Sequence, residues 1–227
     1  MIKRIAAIII CALVLAGVWA TFQVDTPVRE AVVHAQGKKW KNSAESKIHG
    51  AVRKYGDWPP LMLAGGVGFL IAWRLGKRGA QRAIMVAMLA STLAGIVANA
   101  SRLTTGRTRP RESPKIEQGF YGPWHEGKLT VGNSKYNSFP SGHTATAFGF
   151  AFGILFAAGL IWGGIAILIA GAIGWSSIAI GAHHPSDVYV SIILSFIVAW
   201  FTWVLIRDRS DAIGQKLRTW FMRMRGA

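Results

Sequence analysis

Two histidines lie in short polar segments that separate long apolar runs of the sequence. One segment contains Ser141-Gly142-His143, and the other begins at His183, four residues before Asp187. A carboxylate hydrogen-bonded to one imidazole nitrogen fixes the tautomer and raises the nucleophilicity of the other nitrogen. The spacing of His183 and Asp187 therefore predicts an oriented, reactive histidine. A polar helix start at a membrane interface is the alternative interpretation.

His184 competes with His183 for the reactive position, but it lies only three residues before Asp187 and ranks second. Pro185 suits the first turn of a helix. This places Asp187 near the start of that helix and His183 just before it.

The segment around His143 has the features of an anion-binding helix start. Pro140 precedes Ser141, which is a favourable N-cap residue. Free backbone N–H groups and the helix dipole favour an anion there, and Gly142 lets a phosphate approach the backbone closely. His143 would lie in the first turn beside the anion, although an ordinary helix cap would explain the same residues.

Four arginines crowd one end of the polar stretch 102–140, at positions Arg102, Arg107, Arg109 and Arg111. Guanidinium groups match phosphate oxygens in a bidentate manner and stay charged at every relevant pH. The cluster predicts a phosphate site, whereas binding of lipid headgroups at the interface is the less specific alternative.

Together these residues suit phosphoryl transfer. Arginines and backbone amides hold the phosphoryl group and its developing charge. One histidine attacks phosphorus to form a phosphohistidine, a second protonates the leaving oxygen, and water hydrolyses the intermediate. We expect no metal and no cofactor, because Asp and Glu total only ten and are scattered, and the single cysteine, Cys11, cannot build a metal site.

The elements that must position these groups are apolar helices. The chain is 52% hydrophobic yet carries a formal charge of +16, which fits a membrane protein with charged loops. A helix needs about 20 apolar residues to span a bilayer. We expect an all-α, polytopic membrane bundle of about six transmembrane helices, at 5–22, 61–73, 84–100, 144–162, 165–182 and 188–206. No basic helix or zinc pattern accompanies the charge, so nucleic-acid binding is not expected.

This topology brings the three polar segments to one face, because odd-numbered spans end where even-numbered spans begin. With the N-terminus inside, Lys and Arg number 12 on the inner side and 14 on the outer side, which does not decide the orientation. The short turn 74–82 holds four positive charges, and short loops dominate the positive-inside rule. We therefore expect both termini inside and the polar segments outside.

The chain is expected to form a single integral membrane domain. Its parts are a first transmembrane helix or signal anchor at 1–24, a basic interfacial segment at 25–60, a catalytic helical core at 61–206, and a basic amphipathic tail at 207–227. The tail suits an anionic membrane face. A signal peptide cleaved near residue 20 is the alternative for the first helix.

These motifs resemble those of the type 2 phosphatidic acid phosphatase superfamily. Its pattern is Lys-x6-Arg-Pro, then Pro-Ser-Gly-His, then Ser-Arg-x5-His-x3-Asp, and the counterparts here are 102–110, 140–143 and 176–187. The resemblance covers most of the chain from the second span onward. It implies a six-helix membrane enzyme with the active site at one face.

The resemblance also assigns roles to individual residues. Those implied are phosphate binding by Arg109, Ser141 and Gly142, general acid catalysis by His143, nucleophilic attack by His183, and orientation of that nucleophile by Asp187.

Two positions depart from the family pattern. Arg102 stands where the family has lysine, so the charge is kept and phosphate binding is expected to persist. Ser177 stands where the family has arginine, which removes a phosphate contact worth on the order of 1.5–3 kcal/mol. We regard Arg107, Arg111 and Ser177 as candidate additional phosphate contacts.

The function expected is hydrolysis of a lipid phosphate or diphosphate, with lipids as the expected partners and no obligatory protein partner. By analogy, the substrate is of the undecaprenyl diphosphate, phosphatidylglycerol phosphate, phosphatidic acid or lipid A type. One alternative is a lipid phosphotransferase that uses the same intermediate. Another is an inactive phospholipid-binding or transport protein, which Ser177 favours and the retained histidines oppose. The expected location is the bacterial inner membrane, with the active site on the periplasmic or outer face.

Overall fold

The chain folds mainly into α-helices. The computed structural model describes residues 2–35, 40 and 43–225, with side chains described at 4–35, 40 and 43–207. The helices are α1 (Ile2–Ala35), α2 (Ala44–Lys54), α3 (Trp58–Arg74), α4 (Arg78–Thr105), α5 (Gly142–Ala158), α6 (Leu160–Ala179) and α7 (Pro185–Arg225). Between α4 and α5 lie two 3-10 turns, Pro110–Glu112 and Ser134–Tyr136, and an antiparallel pair of short strands, β1 (Trp124–His125) and β2 (Lys128–Leu129).

The prediction of an all-α membrane bundle is confirmed, but the number of six spans is not. Within the described residues, four helical stretches are long and apolar enough to cross a membrane: Arg4–Ala35, Arg78–Thr105, Leu160–Ala179 and Pro185–Arg207. Gly142–Ala158 is apolar but shorter. The predicted span 61–73 lies within α3.

Two predicted boundaries were wrong. The spans expected at 144–162 and 165–182 are instead divided at Gly159, so that α5 ends at Ala158 and α6 begins at Leu160. Gly159 has φ 90° and ψ −179°, a backbone conformation open to glycine and strained for other residues. The apolar run continues across this glycine, which is why hydropathy alone misplaced the turn.

The segment 25–60, expected at the membrane interface, contains the end of α1, all of α2 and the start of α3. The amphipathic tail expected at 207–227 continues the α7 helix through Arg225, and its side chains beyond residue 207 lie outside the described residues.

Small residues fill the interior of the bundle, and large apolar residues face outward. Ala87 and Ala90 of α4 are fully buried against α5, where a Cβ atom at Gly153 would lie 2.5 Å from the Ala87 Cα atom. Leu160 and Leu168 of α6 are 80% and 77% exposed. This inside-out distribution is typical of helices that pack closely while lipid solvates their outer surface. The close packing of α5 against α4 sets the position of the polar residues at the start of α5.

Candidate active site

The structure brings the polar segments together at one end of the bundle. Arg102 lies in the last turn of α4, His143 in the first turn of α5, and His183 in the turn between α6 and α7. The backbone N–H of Ser141 donates to the carbonyl oxygen of Asp187 at 3.3 Å, which joins the start of α5 to the start of α7.

His183 is fully buried, and its two ring nitrogens have different surroundings. Nδ1 lies 2.7 Å from the backbone carbonyl oxygen of Ser138, which can only accept, so Nδ1 carries the proton. Nε2 is buried and has no hydrogen-bond partner among the described residues, so its lone pair is available. Burial lowers the pKa of His183 to about 3, although nearby Asp187 acts in the opposite direction. The imidazole is therefore neutral at physiological pH.

Asp187 does not contact His183 in the manner expected from the sequence. Its Oδ2 atom is 3.7 Å from Nδ1 of His183, beyond hydrogen-bond distance. Oδ2 instead accepts from the Ser138 hydroxyl at 2.6 Å and from the backbone N–H of His184 at 2.8 Å. Asp187 thus holds the residue whose carbonyl oxygen holds the imidazole. The spacing of four residues brings the two side chains close, but the carboxylate accepts from the Ser138 hydroxyl and the His184 backbone N–H rather than from the imidazole.

Both ring nitrogens of His143 are engaged by residues that sequence reasoning missed. Arg53, near the end of α2, donates from Nη2 to Nδ1 of His143 at 3.2 Å. Nε2 of His143 lies 2.6 Å from Oδ1 of Asp57, at the N-cap position of α3. Burial raises the pKa of the Asp57 carboxyl, and the nearby Arg53 acts in the opposite direction.

The sequence did contain a signal for these two residues. Arg53 and Asp57 are four positions apart at a helix boundary, just before Trp58-Pro59, and they interrupt a segment whose charges are otherwise mostly basic. That signal shows a helix start, whereas the contact with His143 depends on how α2 and α3 pack.

Arg102 lies directly over the start of α5. Its Nε atom donates to the Pro140 carbonyl oxygen at 2.9 Å, and Nη1 donates to Asn99 Oδ1 at 3.1 Å. Nη2 is buried and has no partner in the described part of the chain. A Cβ atom at Gly142 would lie 2.8 Å from this Nη2 atom, so glycine permits the close approach of the guanidinium. Ser141 is fully buried, and its hydroxyl is 2.8 Å from the hydroxyl of Thr144.

Arg109 is the second arginine that faces this region. Its Nη2 atom makes one long hydrogen bond, 3.4 Å, to the Asn137 carbonyl oxygen, and its buried Nε atom has no partner among the side chains described. Burial, together with the positive charges of Arg111, Arg53 and Arg102, lowers the pKa of Arg109 to about 9. The cationic groups are therefore close enough to repel one another.

Arg107, proposed as an additional phosphate contact, is paired with carboxylates of the protein instead. Its guanidinium donates to Asp187 Oδ1 at 2.5 Å and to Asp25 Oδ2 at 2.6 Å, so two carboxylates compensate its charge. It also packs 4.6 Å from the ring centroid of Phe120. Asp25, on α1, was not singled out from the sequence. Its partners are distant in the sequence, so no local pattern could have identified it.

The remaining candidates have other surroundings. Ser177 is fully buried, and its hydroxyl donates to the Ile173 carbonyl oxygen in its own helix. Arg111 has a partly exposed side chain 3.5 Å from Glu112. Nε2 of His184 lies 3.2 Å from the Thr108 carbonyl oxygen. None of these contacts points to a phosphate.

Comparison with known proteins gives a match to the PAP2 superfamily over residues 83–211, more than half of the chain. The chain is 34% identical over 112 residues to "Lipid A 1-phosphatase" of Rhizobium johnstonii, covering 48% of this chain and 40% of that protein. It is 25% identical over 118 residues to "Putative undecaprenyl-diphosphatase YbjG" of Escherichia coli, covering 52% of this chain and 56% of that protein. The chain thus spans about half the length of these curated relatives.

A solved structure shares the fold. The crystal structure of Aquifex aeolicus LpxE is similar with a TM-score of 0.51 and 21% sequence identity, covering 79% of this chain and 94% of that chain.

Proposed function

Since the chain belongs to the PAP2 superfamily, as its motifs indicated, we propose that it is a membrane phosphatase that hydrolyses a lipid phosphate or diphosphate. The observation that carries this proposal is the state of His183. Its Nδ1–H is fixed by a backbone carbonyl oxygen, while the lone pair of its buried Nε2 atom is unengaged within the described structure. Such an imidazole is oriented and neutral, as a nucleophile requires.

In the first step, Nε2 of His183 attacks phosphorus, and the bond between phosphorus and the leaving oxygen breaks. His143, protonated in the substrate complex, supplies the proton that the leaving oxygen takes up. Arg102 and Arg109 stabilise the charge on the phosphoryl oxygens through donors that have no described protein partner. The start of α5, at Gly142 and His143, offers backbone N–H groups to the same oxygens.

In the second step, water attacks the phosphohistidine, and the bond between phosphorus and Nε2 breaks. His143 now accepts the proton of the water, which restores the starting protonation state. Asp187 supports both steps by holding Ser138, whose carbonyl oxygen keeps His183 in one tautomer. The products are an alcohol, or a monophosphate if the substrate is a diphosphate, and inorganic phosphate.

A lipid substrate agrees with the surroundings of the site. The polar end lies on helices whose outer surfaces carry exposed leucine and isoleucine, so a long apolar tail could remain in the bilayer while its phosphate reaches the arginines. The names of the two relatives point to lipid A phosphate and undecaprenyl diphosphate as the first substrates to test. We place the site on the outer face of a bacterial inner membrane, following the charge density of the turn 74–82.

The test measures phosphate release by the detergent-purified full-length chain from a panel of lipid phosphates and diphosphates, with EDTA present. His183→Ala is compared with wild type and with His34→Ala, which removes an exposed histidine near the end of α1. We expect release in EDTA by wild type and by His34→Ala, and none by His183→Ala. Release that continues in His183→Ala would contradict the nucleophile, and release that EDTA abolishes would contradict the metal-free mechanism.

The same preparations separate the alternatives. If the chain is a phosphotransferase, product forms only when an acceptor lipid is added, and wild type still forms the phosphohistidine. A phosphoramidate survives alkaline denaturation, so phosphate retained by the denatured wild-type chain reports this intermediate. A binding or transport protein would neither release phosphate nor retain it covalently.

A further inference from the structure

A short helix outside the region of the family match reaches into the candidate site. The match begins at residue 83, whereas α2 comprises Ala44–Lys54. Nδ1 of His49 on α2 lies 3.1 Å from the hydroxyl of Ser176 on α6. One turn further along α2, Arg53 contacts His143. The helix therefore lies against α6 next to Ser177 and directs its last turn toward the active site.

The end of α2 is closely packed in this position. A Cβ atom at Gly56 would lie 2.5 Å from Ile173 Cγ2 and 2.9 Å from the His143 carbonyl oxygen. The hydroxyl of Thr146, on α5, donates to the Gly56 carbonyl oxygen. Because α5 and α6 both hold this corner, the Arg53 side chain is anchored close to the site rather than projecting freely from a surface helix.

The nearby carboxylate of Asp57 compensates the charge of Arg53 only in part. Nη2 donates to a neutral acceptor, the imidazole of His143, and the buried Nε atom has no partner in the described structure. Arg53 also interacts electrostatically with Arg102 and Arg109. Three guanidinium groups, each with one buried and unused donor nitrogen, thus surround one histidine. Buried positive charge that is only partly compensated is costly, so the three arginines together suit a multiply charged anion.

We propose that Arg53 is a third phosphate-binding arginine of this site, contributed by α2 from outside the region that matches the family. The proposal rests on the proposed function, because it assigns Arg53 to the phosphoryl group that His183 attacks. Upon substrate binding, the guanidinium moves from Nδ1 of His143 to the phosphoryl oxygens. The Arg53 guanidinium then supplies, from α2, the positive charge that is missing at position 177 on α6, where the family has arginine and this chain has Ser177.

The test titrates inorganic phosphate into the detergent-purified full-length chain and follows its melting temperature. The variants are Arg53→Ala and the matched control Lys47→Ala, which removes one positive charge from the exposed side of the same helix. Loss of a charge-assisted contact is expected to weaken phosphate binding about 10- to 100-fold in Arg53→Ala. Lys47→Ala should bind phosphate as wild type does.

If Arg53→Ala does not fold, Arg53→Gln replaces it, since glutamine keeps much of the side chain and removes the charge. A folded Arg53 variant with wild-type phosphate affinity would overturn the proposal. An equal loss of affinity in Lys47→Ala would also overturn it, because the effect would then reflect net charge alone.

Phosphate binding is measured without turnover, so the outcome does not depend on hydrolysis. A wild-type chain that binds phosphate through Arg53 but releases none from lipids would retain this assignment and contradict the phosphatase proposal. A chain that hydrolyses lipid phosphates equally well with and without Arg53 would retain the phosphatase and contradict this assignment.

Discussion

Two groups of arginines lie at the same end of this bundle, and they differ in what surrounds them. Arg107 lies between Asp25 and Asp187 at 2.6 and 2.5 Å, so its charge is compensated inside the protein. Arg109 is also buried and Arg102 is half-buried, but each has a buried donor nitrogen with no partner in the described structure. The neighbouring cations lower the pKa of Arg109 further, after the effect of burial.

The difference separates a structural charge from a ligand-binding charge. A buried ion pair is strongly destabilised when one partner is removed, because the other charge is left unpaired. A buried cation without a partner lowers stability until an anion binds, so its removal affects binding more than folding. The same residue type therefore serves two purposes within residues 102–109.

The largest effect is expected from Arg107→Met. This change leaves Asp25 and Asp187 buried without their cation and should lower the free energy of unfolding by about 3–5 kcal/mol. Thermal unfolding in detergent measures the loss. Arg111→Met is the control, since a partly exposed pair at 3.5 Å contributes less than about 1 kcal/mol. Equal melting temperatures for the two variants would show that the charge of Arg107 is not structural, and the two groups of arginines would then not differ as argued.

Arg109→Ala should show the opposite pattern. We expect kcat/KM on a lipid phosphate to fall about 10- to 100-fold, the equivalent of about 1.5–3 kcal/mol of lost charge-assisted contact. The melting temperature without phosphate should be unchanged or higher, because one of several repelling cations has been removed. Arg109→Lys should recover part of the activity. If Arg109→Ala is unstable yet fully active when folded, the charge of Arg109 is structural, like that of Arg107.

The dependence of stability on pH tests how strongly the buried site excludes charge. The pKa of His183 falls from its ordinary 6.5 to about 3 on folding, so between these values the unfolded chain binds a proton that the folded chain does not. Lowering the pH across this range should therefore destabilise the fold, by up to about 1.4 kcal/mol per pH unit from this residue. His183→Gln should have a shallower slope in thermal unfolding at pH 4–7. An unchanged slope would mean that His183 is not held neutral.

The smallest effect is expected from Gly142→Ala. The added Cβ atom would lie 2.8 Å from Nη2 of Arg102, and the end of that flexible side chain can shift to make room. We expect kcat/KM to fall less than tenfold, with no loss of melting temperature, because alanine favours the helix. Gly164→Ala is the matched control, since nothing lies within 4 Å of its Cβ position. A loss of stability equal to that in Arg107→Met would show that this guanidinium is rigidly held.

Several features of the site followed from the sequence because they depend on neighbouring residues or on the apolar pattern. The segments with His143 and His183 lie at the starts of α5 and α7, where the alternation of spans predicted a common face. The helix break at Gly159 was misplaced because an apolar run continues through it. The contact of Asp187 with His183 was inferred from spacing and from the family resemblance. In the structure the Ser138 carbonyl oxygen, not the carboxylate, accepts from Nδ1 of His183.

The sequence by itself determined that this chain is a membrane bundle of the PAP2 superfamily with histidines and arginines at one end. Apolar run length and short motifs are local properties, and they carry that information. Only the tertiary structure decided which arginines are compensated and that Arg53 and Asp57 contact His143. Those contacts join residues that are far apart in the chain, as Asp25 and Ser186 are at a separation of 161 positions. Helix packing brings such residues together, and no local pattern encodes it.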